Sequence, residues 1–189
     1  ALPRIEYPSS VQASGQRELA SNPFSYEFQQ SNSQLQDPVF YNSPELDSGT
    51  QGDEMTAVAF FIDNGMNARE ACSVTGILKA VSNLDPANNS NGFGIAGYPQ
   101  TSPRYARFAS YIQRLSPSRT VEDFAGQLMF VMQEIGTSKS TAYSKIIRTQ
   151  DIGEQVFILS KYYLHPLTNV NIAAANSSAV NLYKGLGAR

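Results

Sequence analysis

Apolar residues recur with a helical period from about residue 53 onward and show no period before it. In residues 1–52, polar runs such as Gln29-Gln30-Ser31-Asn32-Ser33-Gln34 alternate with isolated aromatics. Pro3, Pro8, Pro23, Pro38 and Pro44 each remove an amide donor and restrict the preceding residue, so no long helix fits there. A stretch of this length without periodicity is also too long for a loop inside a compact domain. Residues 1–52 therefore read as an extended N-terminal arm whose aromatics, Phe24, Tyr26, Phe28, Phe40 and Tyr41, dock on neighbouring subunits. Phe24-Ser25-Tyr26-Glu27-Phe28 alternates like a strand that could add to a partner's sheet edge. A disordered tail is the alternative reading of the same composition.

Residues 53–189 read as one helical domain. Met55, Val58, Ala59 and Ile62 mark one face of a first helix, which Gly65 can end in the left-handed conformation. Asn67 with Glu70 makes a capping box for a second helix, whose buried face runs Ala71, Val74, Leu78, Val81 and which Pro86 stops. The Asn88-Asn89-Ser90-Asn91-Gly92 cluster, the apolar run Phe93 to Tyr98 and Pro99 predict a small β-hairpin within residues 87–102. Further helices are predicted after Ser102-Pro103 and after Thr120, with Phe124, Leu128, Val131 and Ile135 facing inward from the latter. Others lie around Tyr143, Ile146 and Ile147, after the Asp151/Glu154 pair, and through Ile172, Ala175, Ala179, Leu182 and Tyr183, whose small residues allow close packing. The expected class is α+β, mostly α, with the small hairpin and the arm appended.

Two runs give this pattern a family. Val81-Ser82-Asn83-Leu84-Asp85-Pro86 at the end of the second helix, then Phe93-Gly94-Ile95-Ala96-Gly97-Tyr98 after the loop, resemble the paired motifs of the phage tail lysozyme-like domain. In that family the first run begins with a glutamate and the second reads Tyr-Gly-Ile-Ala-Gln-Trp. The likeness continues in order through Gln127-Leu128-Met129-Phe130, Glu134-Ile135 and Tyr162-Tyr163-Leu164-His165-Pro166. It implies a lysozyme-like fold and peptidoglycan cleavage. It also implies that the general acid falls on Val81 and a second polar group on Gly97.

Composition and charge narrow the function. Only 16% of residues are charged, against the roughly 25% usual in soluble domains, so the surface must be covered by Ser, Asn, Gln and Thr, which suits packing with partners. The net charge is −2 and no two basic residues are adjacent, which leaves no phosphate-neutralising stripe for nucleic acid. No stretch reaches the ~20 apolar residues of a membrane helix, and no basic-then-apolar signal pattern opens the chain. One cysteine, Cys72, excludes an internal disulfide, and the only histidine, His165, stands beside a proline at a helix end; no cofactor or metal is implied. The string Gly92-Phe93-Gly94-Ile95-Ala96-Gly97 matches a dinucleotide fingerprint, but polar residues precede it and Pro99 follows, where a strand and a helix are required.

Glycoside cleavage needs a protonated carboxyl at the scissile oxygen and commonly a second carboxylate or polar group. Valine cannot donate a proton, and Gly97 brings no polar group. Asp85, four residues after Val81, is the possible substitute. The expectation is a catalytically inactive lysozyme-like component of a bacteriophage virion, in the tail or baseplate, that assembles with other virion proteins. The groove residues would be Ser82, Asn83, Phe93 and Tyr98. An active peptidoglycan hydrolase using Asp85, and a non-catalytic glycan-binding module using Tyr98 and the Asn88 to Asn91 loop, are the alternatives.

Overall fold

The computed structural model describes residues 52–115, 117–164 and 170–187. The aromatic positions assigned to the arm, and His165, lie outside the described residues. Among these described residues, seven α-helices follow in order: α1 (Glu54–Asp63), α2 (Ala68–Ser82), α3 (Pro103–Gln113), α4 (Phe124–Gly136), α5 (Ser140–Ile146), α6 (Ile152–Leu159) and α7 (Ile172–Gly185), with a five-residue π turn, Ser160–Leu164, continuing α6. None of the described helices is long and apolar enough to cross a membrane.

The starts of the helices follow from local chemistry. Asn67 accepts from the Glu70 amide while the Glu70 carboxylate accepts from the Asn67 amide, the predicted capping box. Ser102 caps α3 with Pro103 in its first turn, and Asp151 accepts from the Gly153 and Glu154 amides at the start of α6. The cap of α4 departs from expectation. Thr120 lies in the turn before it, and Asp123 caps the helix, accepting from the Gly126 amide at 2.8 Å while pairing with Arg119.

Helix α2 is the central element. Eleven of its fifteen residues are buried, and it packs on α1, α6 and most extensively α7. Close approach to α7 depends on Gly76, where a Cβ would lie 2.8 Å from the Ala179 Cβ and from backbone atoms of Ala175 and Ala179. Helix α1 turns a different face inward from the one its Met/Val/Ala/Ile spacing suggests. Ala57, Val58, Phe60 and Phe61 are buried, whereas Met55 and Ile62 are 47% and 39% exposed. Two phenyl rings bury more apolar area than the Met–Ile stripe, so they set the helix's rotation.

The expected hairpin contracts to a single antiparallel bridge between Phe93 and Tyr98, which exchange both backbone hydrogen bonds at 2.7 and 2.9 Å. Between them the chain coils too tightly for a ladder. Gly94 and Gly97 have φ of 77° and 67°, a region that favours glycine, and the Ile95 amide is bonded by a side chain of α4 instead of by another strand.

Where residue 52 meets the domain there is no space for a side chain. A Cβ on Gly52 would come within 2.1 Å of the Leu84 carbonyl oxygen and 3.5 Å of Pro86.

Candidate functional site

The C-terminal turn of α2, the loop after it and the Phe93–Tyr98 turn form one unit. Helix α2 ends through two consecutive left-handed residues, Asn83 (φ 58°) and Leu84 (φ 61°), and the Asn83 amide closes the last turn onto Lys79 O at 2.7 Å. The Ser82 hydroxyl is shared between the carbonyls of Leu78 and Ile95, at 3.1 and 3.0 Å, and accepts from the Leu84 amide. Ser82 thus ties the helix end to the glycine-rich turn. Asn83 is the exposed cap.

Val81 faces the core. Its exposure is 5%, and it belongs to the hydrophobic cluster that runs through α2, α3 and α4. Asp85 is exposed and its Oδ1 accepts from the Ala87 amide at 2.9 Å, which makes it the pivot of a turn. The asparagine loop is held by itself: the Asn88 amide group donates to Gly92 O, its Oδ1 accepts from Ser90, and the Gly94 amide donates to Asn88 O. Asn89, Ser90 and Asn91 remain exposed.

Phe93 and Tyr98 also turn inward. Phe93 meets Tyr105 edge-on at 5.7 Å, and Tyr98 lies against Phe108 at 4.9 Å and Phe130 at 5.7 Å. Tyr98 is fully buried, so its ring is unavailable to a sugar in a groove.

Two residues to which the sequence reading gave no role of their own hold this unit. Gln127 of α4 accepts from the Ile95 amide at 2.8 Å and donates to the carbonyls of Pro86 and Val121 at 2.9 and 2.6 Å. A signal existed, since Gln127 falls on the inward stripe of an otherwise apolar helix. Arg104 of α3 makes a two-point ion pair with Glu134 of α4, at 2.6 and 2.8 Å. Its guanidinium lies over the Tyr98 and Tyr163 rings at 5.1 and 4.8 Å, and both phenols donate to Glu134.

The electrostatics of this cluster are those of a fixed joint. Burial, then the Glu134 charge, pushes both phenol pKa values well above the usual range, so Tyr98 and Tyr163 stay protonated donors. Burial alone would lower the Arg104 pKa, but its bonds to Glu134 and the neighbouring tyrosines carry it upward. Arg104 Nη2 and both phenols bond one oxygen of Glu134 and Arg104 Nε the other, so the carboxylate is engaged in holding the fold. Among the described residues, no group of three or more His, Cys, Asp or Glu side chains is placed to hold a metal ion.

The family model for phage tail lysozyme matches residues 53–186. The chain belongs to the phage tail lysozyme family. No curated protein and no solved structure matches it. This phage tail lysozyme domain is therefore phage-associated and lysozyme-like, and its relation to the family brings peptidoglycan chemistry into question at one place, the end of α2.

Proposed function

We propose that this chain is a structural component of a phage tail or baseplate, a lysozyme-like domain whose hydrolytic chemistry has been retired and whose N-terminal arm joins it to neighbouring virion proteins. The observation that carries the reading is the position of Val81. Where the resemblance puts a general acid, an aliphatic side chain is packed into the core at 5% exposure. Loss of general acid catalysis alone commonly removes a factor of about 10²–10⁴ in rate. Gly97, at the place of the family's second polar group, is committed to a left-handed turn, and a side chain there would strain it. Asp85 is the one carboxylate of the loop, and it is occupied as a turn acceptor.

Turbidity clearing of purified peptidoglycan by wild type, Asp85→Asn and Val81→Glu tests the reading. Wild type and Asp85→Asn are expected to leave the suspension turbid. Val81→Glu is expected to fold with a lower melting temperature, since it places a carboxyl in the core. Clearing by wild type that Asp85→Asn abolishes would overturn the proposal and place the acid four residues along the chain.

A further inference from the structure

Helix α1 is apolar around its whole circumference. Between Met55 and Ile62 its only polar side chain is Thr56. A helix of that composition is ordinarily covered on every side. The domain covers Ala57, Val58, Phe60 and Phe61, but Met55, Ala59 and Ile62, at i, i+4 and i+7, form an exposed line along the other side. Beside the first turn of this line a groove of about 210 Å³ opens between α1 and α7. Met55 and Leu182 line it with apolar atoms, Ser178 and Asn181 with a hydroxyl and an amide. A Cβ at Gly185, at the same groove, would meet nothing within 4 Å. An apolar slot that also carries hydrogen-bonding groups suits an aromatic ring with one polar end.

The chain supplies such a ring close by. Gly52 stands directly before Asp53, the cap of α1, so the preceding residues join the domain at the Met55 end of the exposed line. Val39-Phe40-Tyr41 is the nearest run of adjacent large apolar residues upstream, and Pro38 and Pro44 bracket it and disfavour a helix. Residues 42–51 can span up to about 35 Å, against about 15 Å for the whole of α1, so the run can turn back along the helix. Pro44 and Gly49 supply turn chemistry on the way, and the entropic cost of closing such a loop rises only slowly with its length. The register fits as well. In an extended segment Val39 and Tyr41 face one side about 7 Å apart, and Met55 and Ala59 lie about 6 Å apart along the axis of α1. Phe40 then faces the other way.

We infer that the exposed face of α1 is a docking site for the chain's own residues 39–41, with the Tyr41 ring in the groove beside Met55 and Val39 over Ala59 and Ile62. The inference goes beyond the assembly role and does not depend on it: Tyr41 is taken by its own domain, and Phe24, Tyr26 and Phe28 are left for neighbouring subunits. Oxidation of the full-length chain by dilute hydrogen peroxide, followed methionine by methionine in peptide mass spectra, tests it, because a covered thioether reacts slowly and an open one fast. Met55 should oxidise about tenfold more slowly in wild type than in Val39→Ser/Tyr41→Ser, the short tether keeping the segment at high local concentration. Phe40→Ser should leave Met55 as protected as in wild type. Met66, 3% exposed, is the internal reference, and its slow reaction in every variant reports an intact domain. Equal Met55 rates in wild type and the double variant overturn the inference, as does a loss of protection in Phe40→Ser as large as in the double variant. Protection that grows with protein concentration overturns it too, and assigns the face to a second copy of the chain.

Discussion

The hydroxyls of Tyr98 and Tyr163 donate to the same oxygen of Glu134, at 3.1 and 2.8 Å, and stand 3.4 Å from each other. Tyr98 arrives from the Phe93–Tyr98 turn, Tyr163 from the π turn after α6, and Glu134 from the last full turn of α4. One carboxylate therefore joins three separate parts of the chain, and Arg104 supplies its counter-charge from a fourth.

Removing that charge should be among the most damaging single changes. Glu134→Gln leaves the Arg104 guanidinium buried without an anion, and the expected loss is about 3–5 kcal/mol in urea unfolding. Arg104→Met alone should also destabilise, but the double variant should fall short of the sum by about 1–3 kcal/mol, because the second change removes a charge the first had stranded. Strict additivity would mean that the two groups do not act as a pair.

Gln127 offers a test in which polarity stays and donor count changes. Gln127→Glu keeps an acceptor for the Ile95 amide but turns an oxygen toward the carbonyls of Pro86 and Val121, where the native Nε2 donates. The variant should lose about 2–4 kcal/mol at pH 8. It should recover part of this near pH 4, since a protonated carboxyl can donate to one carbonyl; thermal melts at the two pH values read the difference. A loss equal at both would show that shape, not hydrogen bonding, sets the cost.

How much of this could be read in advance divides by range. Asn67 with Glu70, Ser102 with Tyr105, and Asp151 with Gly153 and Glu154 are bonds within one helical turn, and the sequence suffices to place the caps. The rotation of α1 and the cap of α4 depend on neighbours. Phe60 and Phe61 outcompete a well-spaced Met55/Ile62 stripe, and Asp123 outcompetes Thr120 because its carboxylate also meets Arg119. The hairpin reading failed for a related reason: the apolar run predicts burial correctly, but a side chain from 32 residues away satisfies the backbone that a second strand would have paired. At the site, the family motif located the α2 end. The burial of Val81 was legible in the helical spacing and that of Phe93 and Tyr98 in their apolar run, but their ring partners on α3 and α4 come from packing alone.

Cys72 carries a prediction about alkaline stability. It is fully buried, and burial pushes its thiol pKa up to about 11 from an ordinary value near 9. Above pH 9 the unfolded chain releases the thiol proton while the folded chain keeps it, so the folded state loses stability as pH rises from 9 to 11. Cys72→Ala should reduce that slope, leaving the part above pH 10 that Tyr98 and Tyr163 contribute in the same direction. In the native protein at pH 8 the thiol should react with a disulfide reagent far more slowly than after addition of denaturant.

The contact at Gly52 has a mechanical consequence. Because a backbone carbonyl of Leu84 fills the space where a side chain would be, the point at which residues 1–51 join the domain is seated on the same loop that carries Asp85 and ends α2. The Leu84 amide is in turn bonded to the Ser82 hydroxyl, which also donates to Ile95 O, so Gly52, the end of α2 and the glycine-rich turn lie in one contiguous packing unit. A side chain at position 52 would therefore act at a distance in sequence, by displacing the loop that closes α2.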